Sequence, residues 1–387
     1  MKSKFFCYEL YKNLAVYSFN GKIRYSPCSF WSGDFIGESD NIDIDTVWNS
    51  KERANLINCV QDGSPLDGCK ACYRLEQQNL NSRRLGSFHQ YEDYLKDTSL
   101  DDSSPTGIDY TVGNLCNLKC VICNVDNSSS WISDHEKLNG YYNPPHDKKK
   151  QVELTDNPTL KNLRLIHFHG NGEPLMMPYH KKLLQKVKEA KGLSDVKVFY
   201  NTNGMFTVSS DVLDLWRECQ LIELYFSIDD ICERFEYQRT NGKWETLLKN
   251  IRWFKDNMPN NHLFYINVTY SMLNIYRLND LIKWKLDSFD TNRLGDKVEI
   301  IFQKAVAECE ITSLPQAIKN IILEKYIEYP ELIDIIKGIP SGPISDTFIK
   351  YITKLDTIRG VSLCDIDKEW YDLIMENYPA SASAQSR

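Results

Sequence analysis

Residues 107–124 read GIDYTVGNLCNLKCVICN, and this stretch decides the fold. Its first part, residues 108–112, has the composition of a β-strand. Three cysteines, Cys116, Cys120 and Cys123, follow within eight residues, where their thiolates can bind one metal centre, but no fourth cysteine follows them. A four-iron cluster held by three cysteines keeps one iron open for a small molecule, just as catalytic metal sites keep an open position.

A zinc knuckle is the plainer alternative for these three cysteines, because zinc accepts the same thiolates. Zinc needs a fourth ligand, however, and neither flank offers a nearby cysteine or histidine; the nearest histidine is His135. We therefore favour an open iron-sulfur site. The Cys-x3-Cys-x2-Cys spacing resembles the motif of the radical S-adenosylmethionine (SAM) superfamily.

Length and composition limit the classes of protein to which this chain can belong. A chain of 387 residues has room for one barrel of roughly 200 to 250 residues and a smaller module. The net charge of −7 gives no reason to expect a nucleic-acid partner. No apolar run reaches the ~18 residues that a membrane helix needs, and Glu9 and Lys12 interrupt the start where a signal peptide would stay apolar. We expect a cytoplasmic protein without a membrane partner.

The chain has twelve cysteines, and in a reducing compartment their clustering favours metal binding over disulfides. Five of them lie alone in ordinary sequence and are expected to be buried, inert thiols: Cys59, Cys219, Cys232, Cys309 and Cys364.

From Gly107 onward, strand-like runs alternate with amphipathic helical patterns. The predicted strands are residues 108–112, 163–169, 196–201, 222–228, 263–270 and 298–302. The predicted helices between them include residues 179–190, 211–219, 244–256 and 278–286. Strands that alternate with helices predict an α/β fold with a parallel sheet, wound as a partial (β/α)6 TIM-like barrel. In such barrels the chemistry lies at the carboxyl ends of the strands, where the cysteine triplet also falls.

We expect four regions along the chain. A cysteine-rich module spans residues 1–106, the barrel spans 107–306, a helical C-terminal extension spans 307–378, and a disordered tail spans 379–387. In the first region, Asn20-Gly21 predicts a hairpin turn, and residues 101–105 have the composition of a linker.

After the second predicted barrel strand, residues 169–174 read HGNGEP. The two glycines allow a ligand to approach the backbone closely, and Glu173 can bind an ammonium group. Together with the triplet, this run resembles the superfamily's Gly-Gly-Glu-Pro motif, which holds the amino group of SAM. In this chain Asn171 precedes Gly172 where the first glycine is usual.

Polar residues also recur at the ends of later strands. The resemblance implies that residues at such positions contact the ribose and the carboxylate of SAM, and Ile122 in the cysteine loop belongs to the same predicted set. The strand-end residues in the set are Asn201, Thr202, Asn203, Ser227, Asp229 and Asn267. Arg239 matches a recurrent arginine of the superfamily, although a surface salt bridge explains it equally well.

A second set of thiols lies in the first hundred residues: Cys7, Cys28, Cys69 and Cys72. Three separate segments can deliver these four thiolates to one centre, which is either an iron-sulfur cluster or a tetrahedral zinc ion. The runs at 48–50, 69–76, 82–83 and 355–362 resemble those of twitch-domain radical SAM proteins, which have a shortened relative of the SPASM domain. That resemblance implies an auxiliary 4Fe-4S cluster on these four cysteines.

The resemblance implies an enzyme that reductively cleaves SAM to methionine and a 5'-deoxyadenosyl radical, which abstracts hydrogen from a substrate. An electron donor such as flavodoxin or ferredoxin would supply the electron, and the auxiliary cluster would accept one from the substrate. We expect a peptide or protein side chain or backbone as substrate, although we expect no leader-binding module ahead of Cys7. The alternatives are a nucleoside, carbohydrate or other small metabolite, and, in a different class, a non-enzymatic zinc-binding scaffold or regulator. No catalytic acid or base is identified from the sequence.

Overall fold

The computed structural model describes residues 3–19, 22–77, 81–92, 94, 103–111, 113–141 and 158–378. Within them, one mixed sheet of nine strands has the order β3-β2-β1-β4-β5-β6-β7-β8-β9. The strands are β1 (Asn13–Phe19), β2 (Lys22–Ser26), β3 (Gly37–Ser39), β4 (Gly107–Thr111), β5 (Leu165–Phe168), β6 (Lys197–Thr202), β7 (Leu221–Ser227), β8 (His262–Tyr270) and β9 (Glu299–Lys304).

Strands β4 to β9 are the six predicted strands and pair in parallel with one another, so the predicted α/β fold with a parallel sheet is confirmed. The helices predicted between these strands also form, as α7 (Tyr179–Lys191), α8 (Ser210–Glu218), α10 (Trp244–Asn257) and α11 (Leu278–Ser288). A short helix that was not predicted, α9 (Cys232–Gln238), follows β7.

The N-terminal region continues this sheet. Strand β1 pairs in parallel with β4, while β2 pairs antiparallel with β1, and β3 pairs antiparallel with β2. The turn at residues 20–21 and the linker residues 101–102 lie outside the described residues. Because hydrogen bonds join β1 to β4, the sheet crosses the predicted boundary at residues 106 and 107, and the division into domains remains a prediction.

Most of the remaining helices come before or after the barrel in the sequence. Before it come α1 (Tyr8–Lys12), α2 (Ile44–Trp48), α3 (Lys51–Gln61), α4 (Lys70–Gln77) and α5 (Arg83–Glu92). Helix α6 (Ile132–Asn139) follows the cysteine loop. The C-terminal extension contains α12 (Gln316–Lys325), α13 (Pro330–Gly338), α14 (Asp346–Arg359), α15 (Leu363–Ile366) and α16 (Lys368–Glu376). The predicted tail, residues 379–387, lies outside the described residues.

The two faces of the parallel sheet differ in burial. On β7, Leu224 and Phe226 are completely buried, whereas Tyr225 between them is partly exposed. The buried face belongs to the main hydrophobic core. Successive side chains on a strand point to opposite faces of the sheet. Tyr225 and Ser227 therefore lie on the face opposite to this buried one, which is the inner face of the sheet. The Tyr225 ring stacks on that of Tyr265 from β8 at 4.6 Å. The inner face of the sheet therefore carries polar and aromatic side chains, and the candidate site lies at one end of this face.

Candidate metal and cofactor site

The cysteine loop follows β4, and all three of its thiols line one cavity of about 400 Å3. Ile122 lines the same cavity. The other side is formed largely by residues at the carboxyl ends of the parallel strands and just beyond them: residues 170–173, Asn201, Asn203, Ser227, Arg239, Thr269 and residues 303–306. The structure thus brings the triplet, the HGNGEP run and several strand ends to one place.

The thiols of the triplet are in a setting suited to metal binding. Burial raises the pKa of Cys120 to about 11 and that of Cys123 to about 12, and neighbouring thiols of the triplet add to both shifts. A bound metal offsets the thiolate charge that burial disfavours, so metal binding would release protons at this site. The amide of Leu118 lies 3.4 Å from the Cys116 sulfur, and an Arg239 nitrogen lies 3.9 Å from the Cys120 sulfur. Donors of this kind tune iron-sulfur clusters.

The arrangement of the thiols bears on the choice between iron and zinc. Within the described residues, no three cysteine, histidine, aspartate or glutamate side chains converge closely enough to hold one metal ion. A single zinc ion needs its thiolates about 2.3 Å away. In a four-iron cluster each cysteine binds a different iron, so its thiolates are spread around the cluster. The triplet supplies the three ligands of a cluster that keeps one iron open, whereas a zinc ion would need a fourth ligand.

Glu173 connects the HGNGEP run to β6. Its buried carboxylate accepts hydrogen bonds from the Thr202 hydroxyl at 2.9 Å, the Asn203 amide at 2.7 Å and the Leu175 amide at 3.1 Å. Burial raises the pKa of Glu173 to about 7, while these donors oppose the rise. Two of these donors reach Oε1 and one reaches Oε2, so the carboxylate fixes the shape of the cavity wall and keeps an acceptor position on Oε2 for a ligand.

Gly172 is where the HGNGEP run meets the cysteine loop. Its φ is +77°, and a Cβ there would lie 2.9 Å from the Leu115 carbonyl oxygen. The Gly172 and Glu173 amides donate to the carbonyls of Asn127 and Leu115, both at 2.8 Å. Only glycine fits this close contact without strain. Asn171, in the place of the usual first glycine, lines the cavity.

Three residues predicted to contact SAM are not among the described residues that line the cavity: Thr202, Asp229 and Asn267. Thr202 binds Glu173, and Asp229 accepts a hydrogen bond from the Thr269 amide at 2.8 Å. Both therefore support residues that line the cavity. The side-chain oxygen of Asn267 is buried and has no hydrogen-bond partner in the described part of the chain.

A surface salt bridge was the alternative explanation for Arg239. The structure rules it out, because the Arg239 side chain is buried. It is 7 % exposed, lies 2.7 Å from the Asp229 carboxylate, and lines the cavity beside Cys120. Burial raises the pKa of Asp229, and the Arg239 guanidinium opposes that rise. The buried pair of Arg239 and Asp229 thus places the positively charged guanidinium beside Cys120.

Some cavity residues were missed by the sequence analysis. Asn127 and Ser128 follow the triplet, and residues 303–306 end and follow β9. A usable signal existed for β9, because Gln303 is the polar residue directly after the predicted strand at residues 298–302. The loop residues had no such signal.

The four N-terminal cysteines lie in three separate segments. Cys7 precedes α1, Cys28 follows β2, and Cys69 and Cys72 lie around the start of α4. Burial raises the pKa of Cys7 to about 12 and that of Cys69 to about 11; Cys69 contributes to the first shift and Cys72 to the second. Burial also raises the pKa of Cys28, and Cys7 adds to that shift. The sequence-distant thiols are thus electrostatic neighbours.

A buried charge network joins this region to the barrel. Arg83 lies 2.9 Å from Glu9 and 3.0 Å from Asp109 of β4. Asp109 also accepts a hydrogen bond from the Ser29 amide at 3.0 Å, next to Cys28. Burial opposes ionisation of Asp109, but Arg83 and the neighbouring His169 hold its pKa well below the usual range. Burial raises the pKa of Glu9 to about 7.

The isolated cysteines differ in burial. Cys219 and Cys309 are buried, Cys59 and Cys364 are partly buried, and Cys232 is exposed. The expectation of burial was wrong for Cys232, which is the first residue of α9.

Comparison with known proteins matches part of the barrel to one family. Residues 110–280 match the family described as the radical SAM superfamily. The matched part contains the triplet, the HGNGEP run and strands β5 to β8. No curated protein matches the chain.

Solved structures give distant similarities. The native anSMEcpe structure with bound AdoMet is 15% identical, with a TM-score of 0.39 over 62% of this chain and 62% of that chain. Streptococcus suis SuiB bound to S-adenosylmethionine is 13% identical, with a TM-score of 0.35 over 91% of this chain and 74% of that chain. SuiB bound to precursor peptide SuiA is 14% identical, with a TM-score of 0.34 over the same shares, 91% and 74%. This chain thus spans about three fifths of the anSMEcpe length.

No helix in the described ranges combines the length and the hydrophobicity needed to cross a membrane.

Proposed function

We propose that this protein is a radical SAM enzyme in which Cys116, Cys120 and Cys123 hold a 4Fe-4S cluster with one open iron. One observation carries the proposal: the three thiols line the same cavity as the HGNGEP run and the strand ends. When bound, the cluster and SAM supply a 5'-deoxyadenosyl radical by reductive cleavage of SAM. The match of residues 110–280 to the radical SAM superfamily supports this chemistry.

The residues of the cavity would bind and orient SAM. Asn171, Asn201 and Ser227 present polar side chains to the cavity, and Asn203 lies 3.8 Å from the Cys116 sulfur. Glu173 would fix this wall and would accept a hydrogen bond from the amino group of SAM at the acceptor position that remains on Oε2. Arg239 would offset negative charge beside Cys120. Thr202 and Asp229 would hold these groups in position.

We further propose that Cys7, Cys28, Cys69 and Cys72 hold an auxiliary 4Fe-4S cluster that accepts one electron from the substrate. Four thiolates would leave no iron of this cluster open, which favours electron transfer over substrate binding. Their electrostatic contact supports a common centre. A flavodoxin or a ferredoxin would serve as electron donor to the first cluster.

The substrate we propose is a peptide or protein side chain or backbone. The resemblance of the N-terminal cysteine pattern to twitch-domain proteins suggests this class.

The test of the chemistry is to purify the protein without oxygen, reconstitute it with iron and sulfide, and add SAM with dithionite or reduced flavodoxin. We expect about eight irons per chain and the formation of 5'-deoxyadenosine. Stoichiometric zinc with no 5'-deoxyadenosine after reconstitution would show instead a zinc-binding scaffold.

The substrate class is tested with deuterium. A mixture of deuterated peptides and, separately, mixtures of deuterated nucleosides or sugars are supplied to the reconstituted protein with SAM. We expect deuterium in 5'-deoxyadenosine from the peptides alone. Deuterium transfer from only the nucleosides or sugars would overturn the peptide proposal and leave the radical chemistry standing.

A further inference from the structure

The C-terminal run LDTIRGVS, residues 355–362, has no part in the function proposed so far. It contains the end of α14, whose last residue is Arg359. The Arg359 side chain is 3 % exposed. A buried guanidinium requires partners, because an unpaired buried charge is strongly unfavourable.

Those partners surround Cys120. The Arg359 guanidinium donates to the Lys119 carbonyl at 2.8 Å and to the Thr240 hydroxyl at 2.9 Å. It also lies over the Trp131 ring, 4.7 Å from its centroid. The Trp131 indole in turn donates to the Cys120 carbonyl at 2.8 Å.

A second residue of α14 contacts the same loop. The Tyr351 hydroxyl donates to the Val121 carbonyl at 2.7 Å. The carbonyls of residues 119, 120 and 121 therefore each have a donor, while the Lys119 and Val121 amides donate to the carbonyls of Thr240 and Gln238. The backbone on both sides of Cys120 is fixed, and its sulfur faces the cavity.

Two cations share one carboxylate behind this loop. Asp134 is 2.9 Å from the Lys119 ammonium and 2.8 Å from the Arg359 guanidinium, and its own side chain is 2 % exposed. A third cation, the Arg239 guanidinium, has a nitrogen 3.9 Å from the Cys120 sulfur. The loop around Cys120 therefore lies among buried cations.

We infer that Arg359 is a positioning residue for the SAM-binding cluster, through which the C-terminal extension holds Cys120 and raises the reduction potential of that cluster. The inference rests on the proposed function. A reduced cluster is more negative than an oxidised one, so a nearby buried cation favours reduction. The extension would thereby set how readily the cluster delivers an electron to SAM.

The test uses the reconstituted full-length protein with SAM as the only added ligand. Iron per chain is measured, and the midpoint potential is followed by EPR, with SAM-induced changes marking the signal of the SAM-binding cluster. Arg359→Gln should lower the potential, and Arg359→Lys should keep most of the wild-type value. Asp134→Asn removes the shared carboxylate, so it should raise the potential.

Two control variants separate the effect of the buried charge on the potential from the effect of a hydrogen bond to the loop. Tyr351→Phe removes a neutral hydrogen bond to the same loop and should leave the potential close to wild type. Arg217→Gln removes an arginine of the exposed pair with Asp214 and should change neither iron content nor potential.

Opposite shifts in Arg359→Gln and Asp134→Asn would support the inference. If Arg359→Gln fails to fold or to take up iron, Asp134→Asn and Arg359→Lys decide it. Full iron content with a wild-type potential in both Arg359→Gln and Asp134→Asn would overturn the inference alone, whereas wild-type protein that takes up no iron would overturn the proposed function as well.

Discussion

The two sets of cysteines are built in different ways. Cys116, Cys120 and Cys123 lie in one loop after β4 and share a cavity with the strand ends. Cys7, Cys28, Cys69 and Cys72 come from separate segments, and Cys7 and Cys72 are buried. The first set is local in sequence and open to a ligand, whereas the second exists only after its segments have folded together.

This difference indicates how each site depends on its surroundings. The triplet loop is held by hydrogen bonds from α14 and from residues 238–240, so it should keep its shape without metal. The four-cysteine set depends on the junction of the N-terminal region with β4. Its metal binding should therefore be coupled more strongly to folding.

The largest expected effect is on catalysis. Cys120→Ala removes one of only three ligands of the cluster that binds SAM, so we expect it to abolish the formation of 5'-deoxyadenosine and to lower iron from about eight to about four per chain. Iron analysis and product chromatography measure both. Because the loop is held by its neighbours, the circular dichroism spectrum should stay that of wild type; a variant that still cleaves SAM would contradict the assignment of the cluster.

Cys69→Ala tests the other set. We expect iron to fall to about four per chain while SAM cleavage continues, because the triplet remains intact. Cys59→Ser is the matched control, since Cys59 is a partly buried thiol that packs in the same hydrophobic cluster as Cys69. The control should keep about eight irons per chain. Equal iron in the two variants would refute the auxiliary site.

Substitution of Arg83 tests the contact between the N-terminal region and the barrel. Arg83→Met leaves Glu9 and Asp109 buried without their cation, and the loss of one partner of a buried ion pair costs about 3–5 kcal/mol. Chemical denaturation of the metal-free protein measures the cost. The exposed pair of Arg217 and Asp214 provides the control, for which Arg217→Met should cost less than about 1 kcal/mol. Similar losses in the two variants would mean that the network does not hold the regions together.

The smallest effect concerns the wall of the cavity. Glu173→Gln replaces an acceptor facing the Asn203 amide with a donor, which should cost about 1–3 kcal/mol of stability. The variant should also lose a pH dependence. Since the folded pKa of Glu173 is raised to about 7 from 4.5, its contribution to stability is present below pH 4.5 and lost as the pH rises to about 7. Denaturation curves across this range should have a flatter pH dependence in the variant, and an unchanged slope would mean that Glu173 does not titrate in this range.

Much of the barrel was predictable from the sequence. Its strands are regular runs of β-branched and aromatic residues, and all six predicted strands lie in the sheet. The pairing of β1 with β4 was not predicted, because the two strands are separated by almost ninety residues and no local pattern encodes their register. Among the site residues, those that face the cavity at strand ends follow from alternation. Thr202 and Asp229 hydrogen-bond to Glu173 and Thr269, which line the cavity, and no local pattern encodes these bonds; the contact of Thr202 and Asp229 with SAM stays a prediction.

The sequence by itself determined the spacing of the three cysteines, the parallel barrel and the glycine that allows the HGNGEP run to approach the cysteine loop. These features are local, since each depends on residues a few positions apart. The folded chain alone shows that the sequence-distant thiols Cys7, Cys28 and Cys69 affect one another's pKa values, that Arg239 is buried against Asp229, and that α14 contacts the loop around Cys120. The physical reason is that buried charges and long-range hydrogen bonds depend on which surfaces meet in the folded chain.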